Sequence, residues 1–262
     1  MPYVHNLNPA LLTIGGLEIR YYGLVYVIGF ILTYFYLDYM RKKNRLDLTK
    51  NEVYDLVLYI IVGVFVGSRL FHCLVWEPGY YLRNPLEILY FWKGGMAYHG
   101  GLLGVIIAGY AWWKKNKIWK KVSLGKIGDP LSIPAVFALA LGRIANFING
   151  ELPGRVSDVS WCVYFPRYEG CRHPYQIYVA AKRFAVLAWL VFLSMKEKYK
   201  DGFVFWNMIT FMGIGRVLLD FYRDDPTFLG LTMGQYWSLA MFLVGGFVLL
   251  KYYRNDCKKV FK

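Results

Sequence analysis

A run of polar residues from Gly142 to Arg155 closes an apolar segment long enough to enter a membrane. Within it, Arg143, Asn146 and Gly150 are spaced so that a helix places them on one stripe. A planar cation, an amide and a bare backbone suit a phosphate or polyol group better than they suit packing. A charge at membrane depth costs about 2.5–3.5 kcal/mol on insertion scales, so the arginine needs an anionic partner. The alternative, an arginine that snorkels to the interface, leaves the asparagines and glycines unexplained.

A histidine between two glycine pairs is the second candidate for chemistry. His99 lies in the segment Gly94 to Gly101, where the glycines let backbone or a ligand come close. Near neutral pH, a histidine at a membrane interface can take a proton from a thiol or a hydroxyl. The alternative is a histidine that only hydrogen-bonds a loop carbonyl.

Two further arginines and a tyrosine fall inside apolar segments. Arg216 and Asp220 are four residues apart on one helical face and could simply form an ion pair, although an arginine so paired still has donors for a second anion. Arg69 follows Gly63 and Gly67, which permit close helix packing, and Tyr26 adds a hydroxyl. We interpret Asp129, Lys182 and Arg183, which lie nearer the inward half, as anchors or structural partners.

These residues require a membrane scaffold. The chain has 262 residues, of which 57% are apolar, and it contains more long apolar runs than a soluble core would leave. We therefore predict an all-α polytopic membrane protein, a single integral membrane domain over 1–262, with irregular outward loops at 77–95 and 150–173. Seven spans are predicted, over Tyr21–Met40, Val53–Val75, Met96–Trp113, Leu131–Ile148, Tyr175–Met195, Phe203–Tyr222 and Gly234–Tyr253.

The basic residues indicate the orientation. The formal net charge is +14, and most of the Lys and Arg lie in every second connection and at the C-terminus, at 41–50, 114–126, 196–200 and 251–262. The positive-inside rule then places the N-terminus outside and the C-terminus in the cytoplasm of a cell that carries this protein in its plasma or inner membrane. No motif supports nucleic-acid binding, which we exclude.

The cysteines and histidines indicate no metal site. The sequence contains no CxxC, no HExxH and no histidine cluster, so we expect neither a metal nor a cofactor. Cys162 and Cys171 share an outward loop where oxidation is permitted, and the pattern leaves open whether they form a disulfide.

Several motifs together resemble one known family. The segment Gly142 to Arg155 is similar to the signature of the prolipoprotein diacylglyceryl transferases, and the remaining motifs follow in that family's order over nearly the whole chain. They are Ile19–Leu24 with Tyr26, Gly67–Leu70, Gly94–Gly101 with His99, Arg172–Pro174 and Met233–Gln235.

The resemblance implies a reaction and a set of roles. Members of the family move a diacylglyceryl group from phosphatidylglycerol to the lipobox cysteine of a prolipoprotein, forming a thioether and releasing glycerol phosphate. It implies a membrane phospholipid donor, a prolipoprotein acceptor and, we expect, a monomer. Arg143, Arg216 and His99 would be catalytic. His99 would be the base, and Glu151 is the alternative base. Tyr26, Arg69, Asn146, Asn149, Glu151, Gly154 and Asp220 would bind substrate.

The chain also departs from the family pattern. The family usually has Ser at the position of Tyr175, Glu at Val179, Tyr at Met212 and Glu at Asp220. These positions lie on the fifth and sixth spans, so the departures bear on the donor lipid and the acceptor path more than on the core reaction.

Other functions remain alternatives. Intramembrane arginines could escort a lipid or an anion through a transporter or flippase, although no inverted repeat is evident. Lipid transferases that use cytidine-linked donors need clustered aspartates for metal, and Asp220, Asp224 and Asp225 lack that spacing. A binding-only relative is disfavoured because His99 and both arginines are present.

Overall fold

Helices form most of the protein. The computed structural model describes residues 2–14, 17–196 and 199–260. The helices are α1 Tyr21–Lys42, α2 Lys50–Phe71, α3 Pro78–Arg83, α4 Tyr98–Lys115, α5 Leu124–Ile148, α6 Tyr175–Met195, α7 Phe203–Leu219, α8 Met233–Tyr252 and α9 Arg254–Lys259. A π-helical turn, His72–Trp76, extends α2, and 3₁₀ turns occur at Pro85–Leu89, Phe91–Lys93, Ile118–Lys120 and Asp220–Tyr222.

Short strands order the connections between helices. They are β1 Tyr3–Val4, β2 Ala10–Ile14, β3 Leu17–Arg20, β4 Val163–Tyr164, β5 Cys171–Arg172, β6 Thr227–Phe228 and β7 Leu231–Thr232. Strand β1 pairs in parallel with β4, and β4 pairs antiparallel with β5. The pairs β2–β3 and β6–β7 are antiparallel hairpins. The loop before α6 is thus irregular but hydrogen-bonded.

The helices confirm the prediction of an all-α polytopic membrane protein. Within the residues that the structure describes, six helices are long and apolar enough to cross a membrane by length and composition: Gly23–Lys42, Lys50–Trp76, Leu124–Ile148, Tyr175–Met195, Phe203–Tyr222 and Met233–Tyr252. The remaining predicted span forms as α4, whose 18 residues include a histidine and two terminal lysines that lower its hydropathy. Large apolar side chains stay exposed along α1, α2 and α8, as on helices that face lipid.

The chain forms two compact units, one comprising Met1–Thr33 with Gly128–Lys262 and the other Tyr34–Ile127. We call them the first and the second unit. The expectation of a single integral membrane domain stays a prediction.

In the second unit, small residues bring α2 and α4 together. A Cβ on Gly67 would lie 2.7 Å from the Cα of Gly104, and one on Gly63 would lie 2.9 Å from the Cβ of Ala108. Gly63 and Gly67 of α2, like Gly104 and Ala108 of α4, are four residues apart, which is the small-residue pattern of close helix pairs in membranes.

In the first unit, a buried carboxylate and a glycine position α7. Asp129 of α5 accepts hydrogen bonds of 2.8 Å from the backbone N–H groups of Gly202 and Phe205, and so caps the start of α7. At Gly213 a Cβ would lie 2.7 Å from the backbone N of Phe242, so α7 approaches α8 closely there. These contacts fix the helix that carries Arg216, and they give Asp129 the structural role predicted for it.

Candidate active site

The polar run folds back on itself at the end of α5. After Ile148 the chain turns through Gly150, whose φ is +64°. The Glu151 carboxylate then accepts hydrogen bonds from the amide of Asn146, at 3.4 Å, and from that of Asn149, at 3.3 Å. Three residues predicted to bind substrate therefore form one cluster.

A glutamine absent from the predicted set completes this cluster. Gln176, with no exposed surface, donates from Nε2 to the carbonyl oxygen of Glu151 at 2.5 Å. Its Oε1 and the Oδ1 of Asn149 are buried and have no hydrogen-bond partner in the part of the chain that the structure describes. Buried acceptors without donors are costly, so this cluster suits a ligand that carries hydroxyl groups.

Two predicted arginines meet around a tyrosine. Arg216 donates from Nε to Asp220 at 3.1 Å, and the Tyr175 hydroxyl donates to the other oxygen of the same carboxylate. The ring of Tyr175 also lies under the Arg143 guanidinium, at 5.9 Å, and under that of Arg223, at 5.4 Å. The start of α6 thus links the arginine of α5 to the ion pair of α7.

The start of α8 explains the Met233–Gln235 motif. A Cβ on Gly234 would lie 2.5 Å from Nη2 of Arg216, so a larger residue here would displace that guanidinium. Gln235 forms a reciprocal cap with Thr232 and donates from Nε2 to the carbonyl oxygen of Val217 at 2.9 Å. The motif therefore shapes the surroundings of Arg216.

Gly154 joins the loop to the end of α7. Its N–H donates to the carbonyl of His173 at 2.9 Å, and the next residue, Arg155, donates to the carbonyl of Tyr222 at 2.8 Å. A Cβ on Gly154 would lie 2.5 Å from that Tyr222 oxygen. The backbone requires glycine here, which is a structural reason for its presence in the motif.

The loop itself is braced by a disulfide and an ion pair. Cys162 and Cys171 are bonded, with their Cα atoms 5.5 Å apart, which answers the question that the sequence left open. Arg172 pairs with Asp224 at 2.8 Å and so holds the loop to the α7–α8 connection.

A histidine in this loop belongs to an aromatic cluster. His173 is buried, its Nδ1 lies 3.1 Å from the Tyr178 hydroxyl, and its ring contacts that of Tyr222 edge-on. Burial and the nearby Arg155 lower the pKa of His173 below its ordinary value, against a smaller opposing effect of Asp158. The imidazole is therefore neutral near pH 7.

In the second unit, Arg69 holds a loop. Only 1% of its surface is exposed, and its guanidinium donates to the backbone carbonyls of Glu87, Ile88, Tyr90, Gly94 and Gly95. Those five bonds use all five guanidinium N–H groups. The contacts describe a structural role, and the substrate-binding role of Arg69 stays a prediction that they do not support.

His99 and Tyr26 take the places predicted from the sequence. The first lies in the opening turn of α4, 5% exposed, with its ring 6.3 Å from that of Phe71. Tyr26 lies early in α1 of the first unit and is 40% exposed. Their roles as base and substrate contact stay predictions.

One further cation lies near these groups. Lys182 interacts electrostatically with Arg183, Arg216, Arg143 and Asp220, and its role as an anchor or a structural partner stays a prediction. Its spacing from Tyr175, which places both residues on the same face of α6, is the sequence pattern that could have indicated this position.

Comparisons with known proteins show the family of this chain. The family model "Prolipoprotein diacylglyceryl transferase" matches residues 9–251. The "phosphatidylglycerol--prolipoprotein diacylglyceryl transferase" of Geobacter sulfurreducens is 40% identical over 232 residues, covering 88% of each chain. That of Rickettsia rickettsii (strain Sheila Smith) is 40% identical over 240 residues, 88% of this chain and 91% of the relative, and that of Rickettsia canadensis is 37% identical. This chain belongs to the prolipoprotein diacylglyceryl transferase family.

Proposed function

We propose that this protein transfers the diacylglyceryl group of phosphatidylglycerol, or of a related glycerophospholipid, to the lipobox cysteine of a prolipoprotein. The cysteine sulfur attacks the glycerol carbon, and the bond from that carbon to the phosphate oxygen breaks. Glycerol phosphate leaves with the electron pair, a base takes the thiol proton, and the product is a thioether. Relatives 40% identical to this chain are named for that reaction.

The observation that carries the proposal is the convergence of Arg143 and Arg216 on Tyr175 and its partner Asp220. Guanidinium groups bind phosphate with two parallel hydrogen bonds and stabilise charge that develops on a leaving oxygen. With one arginine from α5 and one from α7, the site can hold the phosphodiester during transfer.

The cluster beside this arginine pair suits the headgroup. The unpartnered acceptors Asn149 Oδ1 and Gln176 Oε1 would receive hydrogen bonds from glycerol hydroxyls, while Glu151, held by Asn146, completes the polar wall. A diol headgroup supplies the donors that these acceptors require.

The base and the remaining contacts follow the sequence prediction. His99 is proposed as the group that takes the thiol proton, with Glu151 as the alternative in the first unit. Tyr26, Gly154 and Asp220 are proposed to shape the substrate site, Gly154 through the backbone junction that excludes a side chain.

The protein is proposed to lie in the plasma or inner membrane, with its N-terminus outside and its C-terminus in the cytoplasm. It is proposed to be a monomer that binds no nucleic acid. Single cysteines introduced at exposed positions test the orientation. An impermeant reagent added outside should label them at Arg167 but not at Lys117. Labelling at Lys117 from outside would reverse the orientation.

The purified protein, a lipobox peptide and phosphatidylglycerol vesicles test the reaction. We expect the peptide to gain the mass of one diacylglyceryl group, and a peptide with serine in place of the cysteine to gain none. An unmodified cysteine peptide would contradict the proposal.

A further inference from the structure

Lys182 follows Tyr175 on α6. It lies seven residues after Tyr175 in the same helix, on the same face, about 10 Å further along the axis. Its stem packs against Gly215, the residue before Arg216 in α7, and its amine lies against Met212.

The surroundings of Lys182 contain more positive than negative charge. Its Nζ lies 3.8 Å from Met212 Sδ, the only hydrogen-bond acceptor that it has within the described parts of the chain. A thioether is a weak acceptor for an ammonium group with three donors. Arg183, Arg216 and Arg143 all interact electrostatically with it, whereas the nearby Asp220 already pairs with Arg216. An anion placed among these cations would offset their mutual repulsion.

The neighbouring helix is shaped around this lysine. A Cβ on Gly215 would lie 2.7 Å from Cδ of Lys182 and 3.0 Å from its Cε, so α7 leaves a groove for the aliphatic stem beside Arg216. Met212, whose sulfur contacts the amine, lies one turn earlier in α7.

The proposed reaction changes the charge of the phosphate. A phosphodiester carries one negative charge, and its release as a monoester, whose second pKa is about 6, produces a second one. Since Asp220 offsets Arg216, the arginine pair alone leaves that second charge poorly matched. We propose, on the basis of the proposed function, that Lys182 is a third cation for the phosphate and stabilises the second charge as glycerol phosphate leaves.

Steady-state transfer kinetics test this role. Lys182→Gln should lower kcat at least about tenfold with little change in KM for the lipid, because the charge develops only as the bond breaks. Lys182→Arg should recover most of the rate. The matched control is Lys196→Gln, at the C-cap of the same helix, where the amine donates to the carbonyl of Val260; this variant should keep the wild-type rate. Gly215→Ala should lower kcat less than Lys182→Gln, since it only displaces the stem.

Binding of the leaving group gives a readout that does not depend on transfer. At about pH 7.5, Lys182→Gln should weaken binding of glycerol phosphate, a dianion, about tenfold, and that of glycerophosphoglycerol, a monoanion, less than about threefold. If the wild-type protein modified no peptide, the proposed function would fail while this comparison would still decide the role of Lys182.

Three results would overturn the inference. They are an unchanged kcat in Lys182→Gln, an equal weakening of both phosphate compounds, and a loss that Lys182→Arg does not recover. The last would assign Lys182 to packing against Met212 rather than to the phosphate.

Discussion

Tyr175, at the start of α6, donates a hydrogen bond to the carboxylate of Asp220, at the end of α7. The family resemblance led us to expect serine and glutamate at these two positions. In this chain the tyrosine hydroxyl on α6 reaches the aspartate carboxylate on α7. The same carboxylate holds Arg216, so the pair also sets the position of that arginine.

This coupling predicts a non-additive pair of substitutions. Asp220→Glu alone should impair transfer strongly, because a longer carboxylate has no room beside Tyr175 and displaces Arg216. Tyr175→Ser added to it should recover activity, so that the two effects differ from additivity by at least about 1 kcal/mol. Transfer rates of the wild type, both single variants and the double variant give this coupling. Additive losses would mean that the two positions vary independently.

The geometry of Arg143 predicts a difference between two cations. Arg143→Lys retains the charge but loses the planar fork, so the transfer rate should fall at least about a hundredfold. The variant should still insert into the membrane and give the size-exclusion profile of the wild type. The matched control is Arg167→Lys, an exposed arginine in the following loop, which should keep its rate. Near-normal activity in Arg143→Lys would mean that the phosphate is not bound through a guanidinium fork.

Much of the fold can be predicted from this sequence, but the contacts of the site cannot. Apolar length predicted helix α6 at its observed bounds and the other spans within four residues, except that α5 begins seven residues before its predicted start. The predicted spans also suggested that α5 and α7 would each supply an arginine. No local pattern could indicate that Tyr175 would join them, because that contact depends on how three helices pack.

Arg69 illustrates why the partner of a charged residue cannot be predicted from its position alone. It was predicted to bind an anion because it is charged within an apolar segment, and in the structure backbone carbonyls of a tightly turned loop take all its donors. The folding of that loop, which has no simple sequence pattern, decides the partner.

Burial of His173 predicts acid sensitivity. Its pKa is lowered in the folded protein, so below about pH 6.5 the unfolded chain takes up a proton that the folded protein resists. The free energy of unfolding should therefore fall as the pH drops through this window and be unaffected by His173 above it. His173→Gln should lose less thermal stability than the wild type between about pH 7.5 and about pH 5. Equal pH dependence in both proteins would exclude a contribution from this histidine.

A base role for His99 predicts a pH-dependent defect. His99→Gln removes the titrating group, so its deficit should shrink as the pH rises towards the free thiol pKa of about 8.5, where hydroxide supplies the thiolate. Transfer rates over that range, with lipid binding measured separately, provide the test. A deficit that stays constant, together with lost lipid binding, would make His99 structural and leave Glu151 as the next candidate.

The central claim is that a phosphate ester bond of the lipid is broken while a thioether forms. Phosphatidylglycerol labelled in its headgroup glycerol, in vesicles containing the purified protein and the lipobox peptide, tests both events in one sample. If the protein is a transferase, one labelled glycerol phosphate is released for each peptide modified. The serine peptide gives neither product. Labelled lipid that crosses the bilayer intact, with no glycerol phosphate and no modified peptide, would contradict the account and identify a transporter instead.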